Sequence, residues 1–302
     1  MFENYFGELA ALATALFWTF SAIAFESAGK KVGSLSVNLI RLIIGFAFLS
    51  IYSFFVRGHI LPTDATTENW TWLLLSGTVG FVIGDLCLFQ AYVVIGSRIS
   101  MLILSLTPAI TALLGWIILG EKLSWMNILG MTIVLIGILL VIVRKNDNSS
   151  TLNKKTKINY PIAGILLALG GAFGQGLGMV LSKKGMVGYD PFASNQIRTI
   201  AGIIGFIIVL TIFKRWPFFV KAVKNRQAMT SISIGAFFGA FLGVSFSLMA
   251  VKYTDTGIAA TLMSIRPVLI IPFAITFFKD KVALKEIIGA AIAVTGVVIF
   301  FI

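Results

Sequence analysis

Four charged side chains lie well inside the long apolar stretches of this sequence, away from their ends, where a charge is costly to bury. Asp85 is the only carboxylate near the middle of such a stretch, and Arg41, Arg198 and Arg266 are the arginines. Because ionisable groups at membrane depth usually serve a function, Asp85 is expected to bind a proton, a cation or a substrate ammonium group. The alternative is a helix-packing ion pair or a cap in a locally broken helix.

Arg266 is followed directly by Pro267, and a proline interrupts the hydrogen-bond ladder of a helix. A guanidinium beside such an interruption could hold a substrate carboxylate through two parallel hydrogen bonds. A structural pair with a backbone carbonyl or with Asp85 is the alternative. Pro108 lies in a comparable apolar stretch, so Pro108 and Pro267 are predicted to be hinges that bend two helices at matching places. A passive kink is the alternative.

The composition indicates a membrane protein. The chain has 302 residues, of which 58% are hydrophobic and 12% are charged, and a soluble core of this size could not bury so much apolar surface. The formal net charge of +12 does not indicate nucleic-acid binding, because the basic residues lie in short gaps between apolar stretches. Cys87 is the single cysteine, so no disulfide can form within one chain.

A transmembrane helix needs about 20 mainly apolar residues, and ten such segments can be counted. One short gap is at 96–98, and the longest gap, the Lys-rich stretch 144–159, is predicted to be a linker. The fold class is therefore predicted to be all-α and integral to the membrane, with inverted five-helix repeats at 1–143 and 160–302. The ten predicted spans are 7–28, 36–56, 70–94, 99–119, 125–143, 160–182, 191–213, 228–251, 257–278 and 283–302.

The lysine and arginine residues of the gaps predict the orientation. Counted from the N-terminus, the odd-numbered gaps hold 16 of these residues and the even-numbered gaps hold 5. The positive-inside rule then places the linker in the cytoplasm and both termini outside, in a multi-pass protein of the cell membrane.

The two halves of the sequence repeat each other. A shift of 159 residues superimposes prolines and glycines, and a shift of 157 superimposes an Asn-x-x-Arg motif in the second helix of each half. With an odd number of helices per half, the second half enters the membrane from the opposite side, as in alternating-access transporters. Because symmetric residues are more typical of architecture than of a substrate site, Asn38, Arg41, Asn195 and Arg198 are predicted to be structural. The pairs at 159 are Pro108/Pro267, Gly80/Gly239, Gly84/Gly243, Gly130/Gly289 and Gly137/Gly296.

A set of motifs occurs twice, once in each half. Each half has the Asn/Arg motif in its second helix, a proline in its fourth, and an acid–Lys pair opening its fifth (Glu121-Lys122 and Asp280-Lys281). With ten helices in a five-plus-five duplication, this set resembles the drug/metabolite transporter (DMT) superfamily, and within it the EamA-type bacterial permeases. The resemblance covers essentially the whole chain. It implies a metabolite carrier, often an exporter of amino acids or related compounds, with a central cavity lined by helices 1, 3, 4, 6, 8 and 9.

Eight further residues are candidates for the lining of that cavity. Four lie on the first and sixth helices, and four carry hydroxyl groups close to the prolines. Each of them could instead pack against a neighbouring helix or face lipid. Together with Arg266 and Asp85, the predicted substrate-binding residues are Trp18, Ser21, Ser105, Thr107, Gln175, Met179, Thr261 and Ser264.

The expected function is secondary transport of a small metabolite by alternating access, with export of amino acids or related zwitterions as the favoured case. Arg266 would hold the carboxylate, and Asp85 would lie near the amine or carry a coupling proton. The expected partners are the small-molecule substrate, the lipid bilayer and protons as coupling ion, in a monomer or homodimer. No cofactor, metal or nucleic acid is expected.

Three alternatives stay open. A multidrug or organic-cation exporter could hold its drug with Asp85 and aromatic side chains, but Arg266 would repel a cation. A channel is disfavoured because the sequence has no duplicated filter-like loop or ring of acids. An intramembrane enzyme is disfavoured for two reasons. Membrane aspartyl proteases have a glycine-x-glycine-aspartate motif, and here position 82, two residues before Gly84-Asp85, is a valine. The lone His59 lies in a gap.

Overall fold

The computed structural model places helices throughout the part of the chain that it describes, and in that part it contains no strand. The all-α prediction therefore holds for the described residues. The predicted linker, Ser105 and Pro267 lie outside them. The described residues are 5–104, 106–142, 161–266, 268–269 and 284–299.

Five helical rods make up the first half. The third rod changes to π-helix for seven residues and returns to α-helix at Asp85. The elements are α1 (Phe6–Val32), α2 (Ser34–Arg57), α3 (Thr67–Gly77), the first π segment (Thr78–Gly84), α4 (Asp85–Leu104), α5 (Thr107–Leu119) and α6 (Trp125–Ile142).

The second half repeats this order and adds one short helix after its second rod. Its third rod also contains a π-helical segment. The elements are α7 (Ile162–Gly185), α8 (Pro191–Ile212), the short α9 (Trp216–Lys224), α10 (Arg226–Gly235), the second π segment (Ala236–Gly243), α11 (Val244–Tyr253), α12 (Thr256–Met263) and α13 (Leu284–Ile299).

Many of these helices are apolar enough to lie in a membrane. Five are also long enough to cross it, and four shorter apolar helices accompany them. The ninth predicted span, 257–278, is described only at 257–266 and 268–269. The long helices are Ser34–Arg57, Thr67–Leu88, Ile162–Gly185, Pro191–Ile212 and Arg226–Tyr253, and the shorter ones are Phe6–Ser21, Thr107–Leu119, Trp125–Leu140 and Ile287–Ile299.

The predicted gap at 96–98 is not a helix end, because α4 runs without interruption from Asp85 to Leu104. Glycine and serine weaken a helix without stopping it. At the equivalent place in the second half the helix does stop, since Thr254 adopts an extended backbone (φ −138°, ψ 173°) between α11 and α12. The two halves therefore differ at this connection, and the prediction was wrong for the first half.

The basic gap that follows α8 contains α9, a helix that the sequence analysis did not predict. This helix has nine residues and carries a proline in its first turn, where a proline is tolerated. A search for apolar stretches of about 20 residues misses so short an element.

The turn between α1 and α2 is a single residue, Gly33, with a φ of 81°. This left-handed backbone is accessible to glycine at little cost and strains residues that have a β-carbon. The predicted spans 7–28 and 36–56 leave residues 29–35 between them, whereas the structure leaves only Gly33 between α1 and α2.

The two halves are related by an inverted symmetry. A methyl group added to Gly137 on α6 would meet Gly289 and Ala293 on α13, and one added to Gly296 on α13 would meet Gly130 and Val134 on α6. A shift of 159 residues relates Gly137 to Gly296, Gly130 to Gly289 and Val134 to Ala293, so the two contacts are equivalent. Because the equivalent helices α6 and α13 pack antiparallel, the two-fold axis that relates them is perpendicular to the helices.

The same symmetry governs the first and third rods of the halves. The third rod of the first half packs on α7, where Gly80 lies against Gly178. The third rod of the second half packs on α1, where Gly239 lies against Ser21. Small residues allow these close approaches, as is usual between membrane helices. Each half therefore completes its core with the first helix of the other.

Candidate functional site

The π segments occupy equivalent positions, since a shift of 159 carries Thr78–Gly84 onto the last seven residues of Ala236–Gly243. π-helical turns inside α-helices are frequent at functional sites. The first π segment ends directly before Asp85, whereas the second ends before Val244. The two π segments are thus equivalent in backbone conformation, but the residue that follows is an aspartate in the first half and a valine in the second.

Asn195 supports the second π segment. Its amide nitrogen donates to the carbonyl oxygen of Ala240 at 2.9 Å and to Oγ of Ser245 at 3.0 Å. The equivalent Asn38 is buried, and neither its amide nitrogen nor its oxygen has a hydrogen-bond partner among the described residues. The two members of the Asn-x-x-Arg motif therefore have different surroundings.

Asp85 is buried between two arginines. The Asp85 side chain forms an ion pair with Arg41, and Arg198 is a second cation that acts on the same carboxylate. The guanidinium of Arg41 also lies 5.6 Å from the ring centre of Phe25, and that of Arg198 lies 4.7 Å from the ring centre of Phe81. In their charged forms the three groups carry one excess positive charge.

This ionic cluster lies close to the point where α2 and α8 cross. A methyl group on Gly202 of α8 would meet Leu42 of α2. Arg41 is the neighbour of Leu42, and Arg198 precedes Gly202 by four residues, which is about one helical turn. The two symmetric arginines, each the eighth residue of its helix, therefore approach Asp85 about two turns into α2 and α8.

These contacts bear on the predicted roles of Asp85 and of the Asn-x-x-Arg motif residues. Arg41, Arg198 and Asn195 make the intramolecular contacts expected of architectural residues, and that role stays a prediction. The alternative in which Asp85 pairs with Arg266 was wrong, because the charged neighbours of Asp85 are Arg41 and Arg198. A substrate ammonium group would have to displace Arg41 to reach the carboxylate.

Arg266 lies against Trp18. The guanidinium carbon is 4.8 Å from the ring centre of Trp18, within the range of a cation–π interaction. The indole is also held from the other half, since a methyl group on Gly243 would come within 2.6 Å of its Cδ1 atom. Trp18 is the thirteenth residue of α1, roughly 18 Å from the start of that helix. The pair therefore lies at mid-helix.

The two halves have helix breaks at equivalent places. In the first half α4 ends at Leu104 and α5 begins at Thr107, with Pro108 in its first turn. The Thr107 hydroxyl donates to the carbonyl of Leu104 at 2.7 Å. In the second half the chain turns at 264–265 and is helical again at Arg266, which is the equivalent of Thr107. The predicted hinge Pro108 thus lies just after a helix break.

Most of the other predicted site residues make contacts within their own helix or with the hydrophobic core. The hydroxyls of Ser21, Thr261 and Ser264 donate to carbonyls three or four residues earlier, at 3.1, 2.8 and 2.8 Å. On α7, Gln175 is half-buried and Met179 packs against the main hydrophobic core. Their role in substrate binding, like that of Thr107, stays a prediction, and Ser105 lies outside the described residues.

Glu121 is the centre of a polar network that the sequence analysis did not predict. Its carboxylate accepts hydrogen bonds from Nζ of Lys183 at 2.7 Å and from Oγ1 of Thr256 at 2.6 Å. Lys183 also donates to the carbonyl of Thr254 at 2.8 Å, and the Thr254 hydroxyl donates to Glu8 at 2.8 Å. The network therefore ties α1, α7 and the α11–α12 turn to the connection between α5 and α6.

A second polar cluster lies on the same face, beyond the end of α7. Burial raises the pKa of the Tyr189 hydroxyl to about 12, and this hydroxyl donates to Asp64 at 2.9 Å. Asp64 is ion-paired with Arg57 at the end of α2. Lys252 donates to the carbonyl of Tyr189 at 2.9 Å. Both networks join elements of the two halves at the face where α1 begins and α7 ends.

The sequence comparison decides the family. The EamA-like transporter family matches residues 5–143 and 162–302, which covers both halves of the chain. The chain belongs to the EamA-like transporter family. The resemblance inferred from the duplicated motifs is confirmed.

Similar proteins agree with this assignment. An uncharacterized transporter of Clostridium kluyveri is 24% identical over 296 residues, covering 97% of this chain and 92% of that protein. An uncharacterized transporter of Bacillus subtilis is 24% identical over 287 residues, covering 93% and 90%. A crystal structure with 18% identity superimposes with a TM-score of 0.75 over 97% of this chain and 96% of the other, which shows a shared fold.

The polar network of this EamA-like protein makes one prediction about pH. Burial, together with the carboxylates of Glu121 and Glu8, raises the pKa of Asp255 despite the nearby Lys183. Because the folded protein then binds this proton more tightly than the unfolded chain does, stability falls as the pH rises through the raised pKa. Asp255→Asn should therefore raise the melting temperature at about pH 7, and the gain should vanish below about pH 4, measured by thermal unfolding in detergent.

Asp64 provides a control of opposite sign. Partial burial acts to raise the pKa of Asp64, but the hydrogen bond from Tyr189 and the charge of Arg57 outweigh it and hold the pKa below its usual range. Asp64→Asn should therefore lower the melting temperature at about pH 7, with the loss vanishing as the pH falls. A gain or loss of the same sign in both variants would contradict the electrostatic argument.

Proposed function

We propose that this EamA-like transporter is a secondary transporter that exports amino acids or related zwitterions across the cell membrane by alternating access. The observation that carries the proposal is the excess of arginine over acid around Asp85 and Trp18. Among the described residues, Arg41 and Arg198 lie close to Asp85 and Arg266 lies against Trp18, so three arginines accompany one carboxylate. That excess is two positive charges (3 − 1), which favours a substrate with a carboxylate.

Arg266 is the proposed carboxylate-binding residue. Its guanidinium lies at the interface of α1 with the broken fourth rod, and its helix restarts at this residue. A planar guanidinium favours an anionic group, because it can bind a carboxylate with two parallel hydrogen bonds. Trp18 would hold the guanidinium in place through its ring face.

Asp85 is proposed to carry the coupling proton rather than to bind the substrate amine. Its carboxylate is already engaged by Arg41, with Arg198 nearby. Protonation would remove the charge that holds Arg41, so a proton at Asp85 would loosen the contact between α2 and α4. The same surroundings argue against an organic-cation exporter, because Arg41 and Arg198 screen the one carboxylate that a cationic drug could use.

Alternating access is supported by the inverted packing of the halves. The networks around Glu121 and Tyr189 close one face by joining elements of both halves. In the proposed cycle these contacts break when the opposite face closes, and the breaks between α4 and α5 and at 264–265 accommodate the movement. With the linker in the cytoplasm and the termini outside, as the basic residues suggest, the closed face is the external one.

Ligand-induced stabilisation tests the proposal. A ligand that binds the folded state raises its melting temperature. We expect a subset of amino acids to raise the melting temperature of the purified protein, whereas the corresponding decarboxylated amines, nucleosides and organic cations do not. Arg266→Gln should abolish the shift. Stabilisation by organic cations that persists in Arg266→Gln would contradict the proposed substrate class.

A further inference from the structure

A cleft lies between the α1–α2 turn and α9, away from the ionic cluster and from Arg266. Its volume is about 540 Å³, and it is partly open to the surroundings. α1 begins near Thr254 and α7 ends near it, so the cleft is on the opposite face, the one on which α1 ends and α7 begins. The residues that matter below are Lys31, Gly33, Ser34, Arg215, Phe218 and Lys221.

Three cations line this cleft. Lys31, Arg215 and Lys221 are all exposed, and none of them takes part in the ion pairs found among the described residues, which join Arg41–Asp85, Arg57–Asp64 and Lys183–Glu121. Arg215 is oriented by the ring of Phe218, whose centre is 5.1 Å from the guanidinium carbon. No carboxylate is among the described residues that line the cleft, so the charge of this lining is strongly positive.

The backbone adds to this positive charge. Gly33 has no side chain to cap the N-terminus of α2, and no side-chain hydrogen bond is made there. Ser34 and Ser36, in the first turn of α2, line the cleft. The first N–H groups of a helix carry a partial positive charge and favour anions, phosphate in particular.

The position of α9 indicates where an anion would come from. Trp216, Val220 and Val223 share one face of this helix and are 38%, 49% and 46% exposed, while Lys221 and Lys224 are on another face. Short helices of this kind lie in the plane of the membrane interface with the apolar face in the lipid. The cleft would then be at the depth of lipid headgroups.

We propose that this cleft binds the phosphate-bearing headgroup of an anionic phospholipid. Lys31, Lys221 and Arg215 contact the phosphate oxygens, the first turn of α2 supplies N–H donors, and the apolar face of α9 packs on the acyl chains. Basic pockets between membrane helices are typical sites for such headgroups. The lipid joins the α1–α2 turn to α9 and so connects the two halves on this face.

Lipid titration of the purified full chain tests this proposal. The melting temperature is followed in neutral detergent while dioleoylphosphatidylglycerol or, in parallel, dioleoylphosphatidylcholine is added. We expect phosphatidylglycerol to stabilise the wild type. Each of Lys31→Gln, Arg215→Gln and Lys221→Gln should weaken the apparent affinity about fivefold, and the triple variant about 100-fold.

Lys224→Gln is the matched control, because Lys224 is on α9 but does not line the cleft. It should bind phosphatidylglycerol like the wild type. If Lys224→Gln weakens binding as much as Lys221→Gln, the effect is diffuse surface charge and the proposed site is wrong. If the triple variant unfolds, the three single variants still test the proposal, because each changes only one exposed side chain.

Two further outcomes would overturn the proposal. Equal stabilisation by phosphatidylcholine would show that the cleft does not select a negative headgroup. Full stabilisation by soluble glycerol 3-phosphate, without acyl chains, would identify a free phosphate compound rather than a lipid as the ligand.

Discussion

Replacing Asp85 by asparagine is expected to destabilise the folded protein by about 3–5 kcal/mol. The substitution removes the buried carboxylate that pairs with Arg41 and also faces Arg198, and it leaves two cations inside the helical packing without that carboxylate. Removing one partner of a buried ion pair typically costs this much, because the remaining charge is uncompensated. The free energy of unfolding in a mild detergent, measured with chemical denaturant, tests the expectation.

Two comparison variants isolate the cause. Asp64→Asn also removes a carboxylate from an arginine, Arg57, but the Asp64 side chain is 43% exposed, so the loss should be at most about 1 kcal/mol. The double variant Arg41→Gln with Asp85→Asn should be more stable than the sum of the two single losses predicts. If Asp85→Asn and Asp64→Asn cost the same, the ionic cluster does not contribute as described.

Replacing Arg266 by glutamine is expected to lower amino-acid transport about 100-fold while the protein stays folded. The loss corresponds to about 2.7 kcal/mol, within the range for truncating one partner of a buried charged contact. Arg266→Lys should be intermediate, since it keeps the charge but cannot make two parallel hydrogen bonds to a carboxylate. Initial rates of uptake into proteoliposomes measure both effects.

Lys184 provides the matched control for Arg266. Its ammonium lies 4.1 Å from the ring centre of Trp72, so it makes the same kind of contact, but at the end of α7. Lys184→Gln should transport at the wild-type rate. Equal losses in the two variants would mean that transport depends on cation–aromatic contacts in general and not on a carboxylate site at Arg266.

The repeat made much of the architecture predictable. Glycines matched at a shift of 159 residues, Gly130 with Gly289 and Gly137 with Gly296, lie in the antiparallel contact between α6 and α13. Such positions can be found from sequence because a duplicated fold duplicates its closest helix contacts. The prolines marked a helix break in the same way, since Pro108 follows the end of α4 by four residues.

The partners of charged residues could not be predicted. Asp85 was weighed against Arg266, but it pairs with Arg41, which is 44 residues away in sequence. Glu121 was recognised only as one half of a repeated acid–Lys motif, whereas its partner is Lys183. Hydropathy indicates which segments are apolar helices, but it does not indicate which faces of those helices contact each other. Contacts between charged residues that are distant in sequence can therefore be identified only from the three-dimensional packing.

The short helix α9 could not be predicted from the sequence for a different reason. Its nine residues are too few to register as a span, and its lysines were counted only as topology signals. The symmetry gave no help, because the first half has no equivalent helix among its described residues. The proposed lipid site thus lies in a part of the fold that the repeat does not duplicate.

Exchange in proteoliposomes tests the central claim most directly. Vesicles loaded with a mixture of unlabelled amino acids, or with the corresponding amines, are diluted into radiolabelled amino acids, and uptake against the concentration gradient is followed. We predict saturable counterflow that is driven by internal amino acids, absent with internal amines, and lost in Arg266→Gln. Uptake that does not saturate, or that internal amines drive equally well, would contradict a carrier that recognises a carboxylate.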